Sequence, residues 1–253
     1  MTARPDRLTE GLKVHAVAIG LALLVVLYFW PVLGGDKVLW PADMLNQMQP
    51  WRSIPDWPKV RPHNPLLDPI QQFWPWRKFG ALWMRRGELP LWNPLYFCGA
   101  PFLAQGQSAL LYPPNVIFWM MGAEEGAGWA AALHVWLAAF FMFLWLRRRS
   151  GTAPSVLGGL AFAFCGFFAG WLEFPTFISV GAWLPLGLLA VDLVAENPRA
   201  RRAALLVVAI ALPFLGGHLQ VTAYVMLAVG GYAVWRLFAA PVVENRRTAA
   251  LLL

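Results

Sequence analysis

The strongest constraint on this chain is a series of apolar segments, most of them about as long as a membrane is thick. A helix needs about 20 mainly apolar residues to cross the hydrocarbon core of a bilayer. Six segments approach or meet this requirement: 14–34, 126–146, 153–172, 177–194, 203–217 and 219–239. Charged residues make up only 13% of the chain, against about 25% in soluble domains. The pattern predicts an all-α integral membrane protein, a multispan bundle of about six helices.

Clusters of basic residues predict the orientation of this bundle. The four clusters are Arg4, Arg7 and Lys13; Arg147, Arg148 and Arg149; Arg199, Arg201 and Arg202; and Arg236, Arg246 and Arg247. If all six segments span, the clusters share one side, which the positive-inside rule makes cytoplasmic. The expected order is a cytoplasmic N-terminus (1–13), a first span (14–34), an extracytoplasmic loop (35–113) and a transmembrane bundle (114–253). The net charge of +7 is then assigned to loops and lipid headgroups, with no nucleic-acid partner.

The long loop, residues 35–113, is unusual for a membrane protein. It contains seven of the 15 tryptophans of the chain and many prolines. Disordered segments are poor in aromatic residues, and long structureless loops are uncommon. Short helices rich in tryptophan commonly lie at the membrane interface. We therefore expect one or two short interfacial helices that cap the bundle on its outer side.

The loop contains one polar pattern twice, as "DMLNQMQPWR" (43–52) and "DPIQQFWPWR" (68–77). Residues four apart share a helix face, so Asp43 should face Gln47, and Asp68 should face Gln72. One interpretation is structural, because Asp is a good N-cap and Pro69 suits the first helical position. The other interpretation is an active site, in which a carboxylate accepts a proton from an attacking hydroxyl and arginines such as Arg77 bind a phosphate.

A longer run carries a resemblance to a known family. The stretch "GELPLWNPLYFCGAPFLAQGQSALLYPP" (87–114), with "DPIQQFWPWRKF" before it and "AWLPL" (182–186) and "GGHLQ" (216–220) after it, resembles the YfhO-like bacterial membrane proteins. These are similar to GT-C-type glycosyltransferases, which take sugars from polyprenyl-phosphate carriers. Family members are usually longer, and the terminal "LLL" looks like the start of a seventh span. The chain is therefore expected to be the N-terminal portion of such a protein.

The resemblance implies an activity, partners and a location. It implies transfer of a sugar from a polyprenyl-phosphate donor to an extracytoplasmic glycan or lipid acceptor, at the outer face of the bacterial inner membrane and among membrane lipids. Asp43 or Asp68 would be the catalytic base, and the residues alone do not separate them. The alternative is a transporter, a flippase or a non-catalytic binder of lipid-linked saccharides. The cofactor stays open, with a divalent cation as one alternative and no metal-ligand cluster in the sequence.

Further polar residues of the loop and of the outer span ends are candidates for substrate binding. The full set is Gln47, Gln72, Arg77, Trp92, Asn93, Gln107, Glu173, His218 and Gln220. Asn93 could instead build a turn with Pro94, and His218 could instead cap a helix. Within the spans, His134 is expected either to have a function or to bond a neighbouring helix. Asp192 is interpreted as a residue of the cytoplasmic interface.

Overall fold

The computed structural model describes residues 7–63 and 66–239 and is almost entirely helical. Its helices are α1 (Arg7–Leu33), α2 (Trp74–Arg85), α3 (Val116–Met121), α4 (Ala123–Leu146), α5 (Thr152–Ala163), α6 (Gly166–Gly170), α7 (Pro175–Gly181), α8 (Leu184–Glu196), α9 (Ala200–Leu215) and α10 (Leu219–Ala239). Shorter turns are Ala42–Gln47, Trp51–Ser53, Pro69–Phe73 and Pro113–Asn115. Two short strands, β1 (Trp92–Asn93) and β2 (Ala100–Pro101), pair antiparallel.

Five helical stretches are long and apolar enough to cross a membrane, which confirms an all-α membrane protein. They are Thr9–Leu33, Ala123–Leu146, Thr152–Gly170, Pro175–Glu196 and Leu219–Phe238. The remaining predicted segment, 203–217, corresponds to α9, which has only 16 residues. Such a helix is about 24 Å long, which is short of the roughly 30 Å hydrocarbon core. A sixth span therefore stays a prediction, and the predicted seventh span lies outside the described residues.

Small residues allow a close contact between the helices α4 and α5. A Cβ atom at Gly159 would lie 2.6 Å from the carbonyl oxygen of Ala139. At Gly158 it would lie 2.3 Å from a methyl group of Leu146. A larger residue at Gly159 would meet the backbone of α4 and push the two helices apart, whereas at Gly158 the end of the Leu146 side chain would have to move. Close approach through small residues is the usual way in which helices associate inside a bilayer, where no water is available to drive them together.

One end of the bundle collects the basic clusters predicted to be cytoplasmic. Arg147 pairs with Glu10 of α1 at 2.9 Å, and Arg148 pairs with Glu196 of α8. Arg202 donates to the carbonyl oxygen of Leu193 at 2.6 Å. Lys13 pairs with the same Glu10, and Arg236 pairs with Asp192 of α8. Members of all four clusters therefore lie at the same end, as their alternation along the chain requires. Arg4, Arg246 and Arg247 lie outside the described residues.

Asp192, interpreted above as a residue of the cytoplasmic interface, lies at this basic end and is a buried link between three spans. Its side chain is 1% exposed and pairs with Arg149 and with Arg236, the latter at 2.8 Å. It also accepts hydrogen bonds from Trp145 at 3.0 Å and from Tyr232 at 2.8 Å. Since these partners come from α4, its C-terminal extension and α10, one carboxylate of α8 holds the basic end together.

The loop folds onto the opposite end of the bundle. Its core is a cluster of buried apolar side chains from the loop and the bundle: Trp40, Met44, Ile70, Phe73, Trp76, Phe79, Phe102, Leu110, Phe118, Ala127, Ala130 and Phe174. The indole of Trp40 donates to the carbonyl oxygen of Ala123 at 2.7 Å, at the first residue of α4. The loop is therefore a packed layer that covers this end.

His134 lies in a buried polar network that fastens the end of the loop to the spans. Its Nδ1 donates to the carbonyl oxygen of Ala130 at 2.6 Å, which leaves Nε2 to accept from the Tyr112 hydroxyl at 2.7 Å. The indole of Trp183 donates to the same hydroxyl at 2.7 Å. The network matches the interpretation of His134 as a residue bonded to its neighbours, and it ties the loop to α4 and to the α7–α8 junction.

The two ends give a direct test of orientation. With Cys98 and Cys165 replaced by alanine, we expect Ser53→Cys to react with a membrane-impermeant thiol reagent in intact cells. Arg201→Cys, at the basic end, should react only after lysis. Both positions are exposed, so the difference reports the side of the membrane rather than burial. Labelling of Arg201→Cys but not Ser53→Cys in intact cells would reverse the assignment.

Candidate active site

Three side chains meet where the loop contacts the bundle: Asp43, His63 and Glu173. Asp43 lies on the short helical turn Ala42–Gln47, and Glu173 lies between α6 and α7. His63 bridges them, with Nδ1 2.7 Å from Asp43 Oδ2 and Nε2 2.8 Å from Glu173 Oε1. The backbone N–H of His63 also donates to Asp43 Oδ2, at 2.8 Å. The loop is thereby connected to this end of the spans through one imidazole ring.

The hydrogen bonds define the charge of this cluster. An ionised carboxylate can only accept hydrogen bonds, whereas a neutral imidazole has one donor and one acceptor nitrogen. A ring that bonds two ionised carboxylates at once carries a proton on each nitrogen. The geometry of His63 therefore matches an imidazolium held between two carboxylates. In this arrangement the protonated Nδ1 of His63 lies 2.7 Å from the carboxylate oxygen Oδ2 of Asp43.

The pKa shifts agree with this assignment. The hydrogen bond to Asp43 raises the pKa of His63 above its ordinary value of 6.5; partial burial opposes the rise, and the bond to Glu173 adds to it. Burial by itself would raise the pKa of Asp43, but the ring and backbone hydrogen bonds from His63 outweigh it. The pKa of Asp43 is lowered below its ordinary 3.8. Both shifts favour the charged pair.

The shifts predict how the bridge responds to pH. The contribution of His63 is complete below about pH 6.5, its unfolded pKa, and is lost as pH rises through its raised folded pKa. The contribution of Asp43 is present above about 3.8 and is lost as pH falls through its lowered folded pKa. We therefore expect the difference in melting temperature between the parent protein and His63→Asn to be largest in mildly acidic solution and to shrink at alkaline pH. Lys37→Ala, at an exposed position of the same loop, is a control, and a difference that grows at alkaline pH would contradict the bridge.

His63 is not among the residues that the sequence predicts for the site. The signal available was weak: it is the one histidine among the 79 residues of the 35–113 loop. Its partners are 20 and 110 positions away along the chain, so no local spacing relates the three residues. Only the folding of the loop onto the bundle brings them together.

Asp68 has a different environment from Asp43, although the two share a sequence pattern. Its Oδ1 accepts from Gln72 Nε2 at 2.7 Å, which is the contact that the four-residue spacing predicts. The capping interpretation is wrong for both, because neither aspartate makes a side-chain capping bond to its helix. Residues Pro69–Phe73 form a wide π-helical turn that leads into α2. Pro75 has no N–H to donate to Gln71, which disfavours regular α-helical bonding there.

An apolar groove lies between the two copies of the pattern. It has a volume of about 460 Å³. Its walls are mostly aromatic and aliphatic: Val38, Trp40, Ala42, Leu45, Met48, Trp51, Ile70, Gln71, Trp74, Pro75 and Glu124. Lys78 marks the polar rim, since its Nζ lies 2.9 Å from Glu124 Oε1 and 4.7 Å from the ring centre of Trp74. Two residues of the helical turn that carries Asp43, Ala42 and Leu45, therefore line this groove.

Arg77 lies inside the loop layer, not on a surface that could receive a phosphate. Only 4% of it is exposed. One guanidinium nitrogen donates to the carbonyl oxygen of Ser108, and the group lies over the ring of Phe118, 5.2 Å from its centre. Burial lowers the pKa of Arg77 to about 10. Its position supports a structural role that holds the 105–109 segment against α2.

Two members of the predicted substrate set instead build a turn. Asn93 is buried, and its Oδ1 accepts from the backbone N–H of Leu95 at 2.9 Å. The indole of Trp92 lies so close to Gly99 that a Cβ there would be 2.7 Å from Nε1. The turn interpretation of Asn93 is therefore confirmed, and Trp92 remains half exposed.

The segments 87–114 and 216–220 contact each other. Gly217 has a φ angle of +88°, and a Cβ on it would lie 3.1 Å from the carbonyl oxygen of Gly106 and 3.3 Å from the Cα of Gln107. Gln107 is half-buried beside this contact. The turn between α9 and α10 is therefore packed directly on the loop.

The remaining predicted residues are distributed around this contact and the loop surface. His218 caps α10, since its Nδ1 accepts from the backbone N–H of Val221 at 3.2 Å, and its ring packs on Phe177 with the centres 3.9 Å apart. The capping interpretation of His218 is thus confirmed. Gln220 donates to the Tyr224 hydroxyl at 2.7 Å. Gln47 is exposed.

Within residues 7–63 and 66–239, no group of three or more His, Cys, Asp or Glu side chains is arranged to hold a metal ion. In the Asp43–His63–Glu173 cluster, the two ring nitrogens point to different carboxylates instead of a common centre.

Comparison of the chain with protein-family models, with curated proteins and with solved structures found no match.

Proposed function

We propose that this chain is a GT-C-like membrane glycosyltransferase that transfers a sugar from a polyprenyl-phosphate donor to an extracytoplasmic glycan or lipid acceptor. One observation carries the proposal: the Asp43–His63–Glu173 cluster shares a helical turn with an apolar groove at one end of a membrane bundle. A lipid-linked sugar needs apolar and charged surfaces side by side. The resemblance of residues 87–114 to the YfhO-like family supports the same function.

Asp43 is the residue that we assign as the catalytic base. Both hydrogen bonds from His63 reach its Oδ2, and we assign Oδ1 to the acceptor hydroxyl. As the acceptor oxygen bonds to the anomeric carbon, its proton passes to Asp43, and the bond from that carbon to the phosphate oxygen breaks. The polyprenyl phosphate leaves with the bonding electrons. A lowered pKa keeps Asp43 ionised at neutral pH, although it also makes the carboxylate a weaker base.

His63 and Glu173 position this base. The imidazolium fixes the carboxylate through two hydrogen bonds, and Glu173 fixes the ring from the opposite side. The leaving phosphate requires positive charge or hydrogen-bond donors nearby. Lys78, at the rim of the groove, is an exposed cation that suits this role.

The groove is the part of the site that we assign to the first isoprene units of the donor. Its walls include the rings of Trp40, Trp51 and Trp74. Burial of apolar surface contributes roughly 25 cal/mol per Å², so a chain that fills such a groove would gain several kcal/mol of binding. The charged rim would then hold the phosphate beside the loop rather than deep in the bilayer.

The function is tested with the protein in nanodiscs and a panel of radiolabelled polyprenyl-phosphate hexoses. We expect one donor to bind and, with a suitable envelope acceptor lipid, to release polyprenyl phosphate. Saturable binding without release, for every donor and acceptor tried, would favour the alternative of a non-catalytic binder. Movement of the donor between leaflets without release would favour a flippase. Absence of binding by the whole panel would contradict both the transferase and its alternatives.

A further inference from the structure

Large apolar side chains protrude from the β1–β2 hairpin of the loop, residues 91–101. Leu95 and Phe97 are 84% and 82% exposed, and Leu91 and Trp92 are also exposed. All four lie outside the candidate spans. A soluble surface rarely exposes a contiguous apolar patch of this kind unless something binds it.

The protruding tip is fixed in place by its own backbone and by the layer beneath it. Phe97 and Cys98 adopt φ angles of 49° and 58°, in the left-handed region that residues other than glycine rarely occupy. The ring of Tyr96 contacts Trp76 of α2, with the centres 6.2 Å apart. Phe102 donates its N–H to the carbonyl oxygen of Leu91 at 2.8 Å, which closes the base. The exposed side chains are therefore presented by a strained, supported turn.

The chemistry around the hairpin matches a lipid surface. From Leu89 to Ala123 the sequence contains no Asp, Glu, Lys, Arg or His. Protein–protein interfaces usually have a polar rim around their apolar core. A tract without charged residues is better suited to contact with the lipid of a membrane. Trp92 and Tyr96, next to the tip, are the amphipathic aromatics that favour the boundary between headgroups and acyl chains. The same tract runs through α3, where Met120 is strongly exposed, and joins α4 directly.

We propose that the apolar hairpin, residues 91–101, inserts its tip into the membrane leaflet at the loop end of the bundle. Leu95 and Phe97 enter the acyl region, and Trp92 and Tyr96 lie at the headgroup level. The hairpin is then a second attachment of the loop to the bilayer, in addition to the spans. The inference does not depend on transferase activity.

The native Cys98 provides a probe in the tip, because it is exposed. In a Cys165→Ala variant, Cys98 is labelled with an environment-sensitive fluorophore and the protein is placed in nanodiscs. We expect blue-shifted emission, strong quenching by lipids that carry a spin label on the acyl chain, and little quenching by aqueous iodide. The control is Ser53→Cys with both native cysteines replaced by alanine. It lies on the exposed surface of the same loop, and its probe should show the reverse pattern.

A second labelling position in the tip separates the environment of the tip from effects that are specific to the label on Cys98. Leu95→Cys, with both native cysteines replaced by alanine, should give the same lipid quenching as Cys98. Iodide quenching at both tip positions equal to that of the Ser53 control would overturn the proposal, because the tip would then lie in water. Protection from both quenchers would also overturn it, because the tip would then be covered by protein, whether a second copy or another partner.

Discussion

Replacing Asp43 with asparagine should lower the rate of sugar transfer by about 10²–10⁴-fold, the usual contribution of a general base. Asparagine keeps the size of the side chain and an oxygen that can accept from His63, but it cannot accept the proton of the acceptor hydroxyl. The variant should still bind the donor, since the groove is unchanged. The measurement is release of polyprenyl phosphate under single-turnover conditions, together with donor binding at equilibrium.

Asp68→Asn is the matched control, because it changes the same atom in the other copy of the pattern. The amide of Gln72 can still donate to the oxygen of asparagine, so the local contact survives. We expect activity close to that of the parent protein. Loss of activity in Asp68→Asn alone would move the base to the second copy. Full activity of both variants would leave the carboxylates with structural roles only.

Replacing Asp192 with alanine should have the largest effect on stability, about 3–5 kcal/mol, the cost of removing one partner from a buried ion pair. The carboxylate is 1% exposed, and the change would leave Arg236 and Arg149 without their shared counter-ion. The spans α4, α8 and α10 would lose their common polar link. Denaturant unfolding in mixed micelles, followed by tryptophan fluorescence, measures the effect.

Glu196→Ala is the control for Asp192, because it removes an acid from the same helix and the same end of the bundle. Glu196 pairs with Arg148, but both side chains are partly exposed. Exposed pairs contribute about 0–1 kcal/mol, so the control should change the free energy of unfolding little. Equal effects of the two substitutions would show that burial of Asp192 does not govern its contribution.

Contacts made within one helical turn could be predicted from the sequence. The Asp68–Gln72 bond follows from four-residue spacing, the cap at His218 from its position before α10, and the turn at Asn93 from the proline that follows it. Five spans follow from hydropathy, because a bilayer admits only long apolar helices whose backbone groups are paired internally. Each of these features depends on residues that are close along the chain.

Contacts across the loop could not be predicted, because they depend on how its short helices pack. Arg77 was expected to bind phosphate, as exposed arginines do, but its partner is the carbonyl of Ser108, 31 positions away. The contacts of Asp192 are also distant along the chain, since its four partners come from α4, the segment after α4, and α10. The two copies of D-x-x-x-Q-x-x-P-W-R also adopt different helical forms. A shared sequence pattern therefore predicts only the spacing of its side chains, whereas the helical form and the bonding partners depend on the surrounding residues.

The bridge from His63 to Glu173 has a consequence for the order in which the protein is made. Glu173 is synthesised 110 residues after His63, which at typical rates of translation is a delay of roughly 5–20 s. During this time Asp43 and His63 can already pair, but their third partner does not yet exist. A polypeptide released before residue 173 would contain Asp43 and His63 and yet lack the third member of the cluster. The cluster is thus completed late in synthesis, after the loop and helix α4 have both been made.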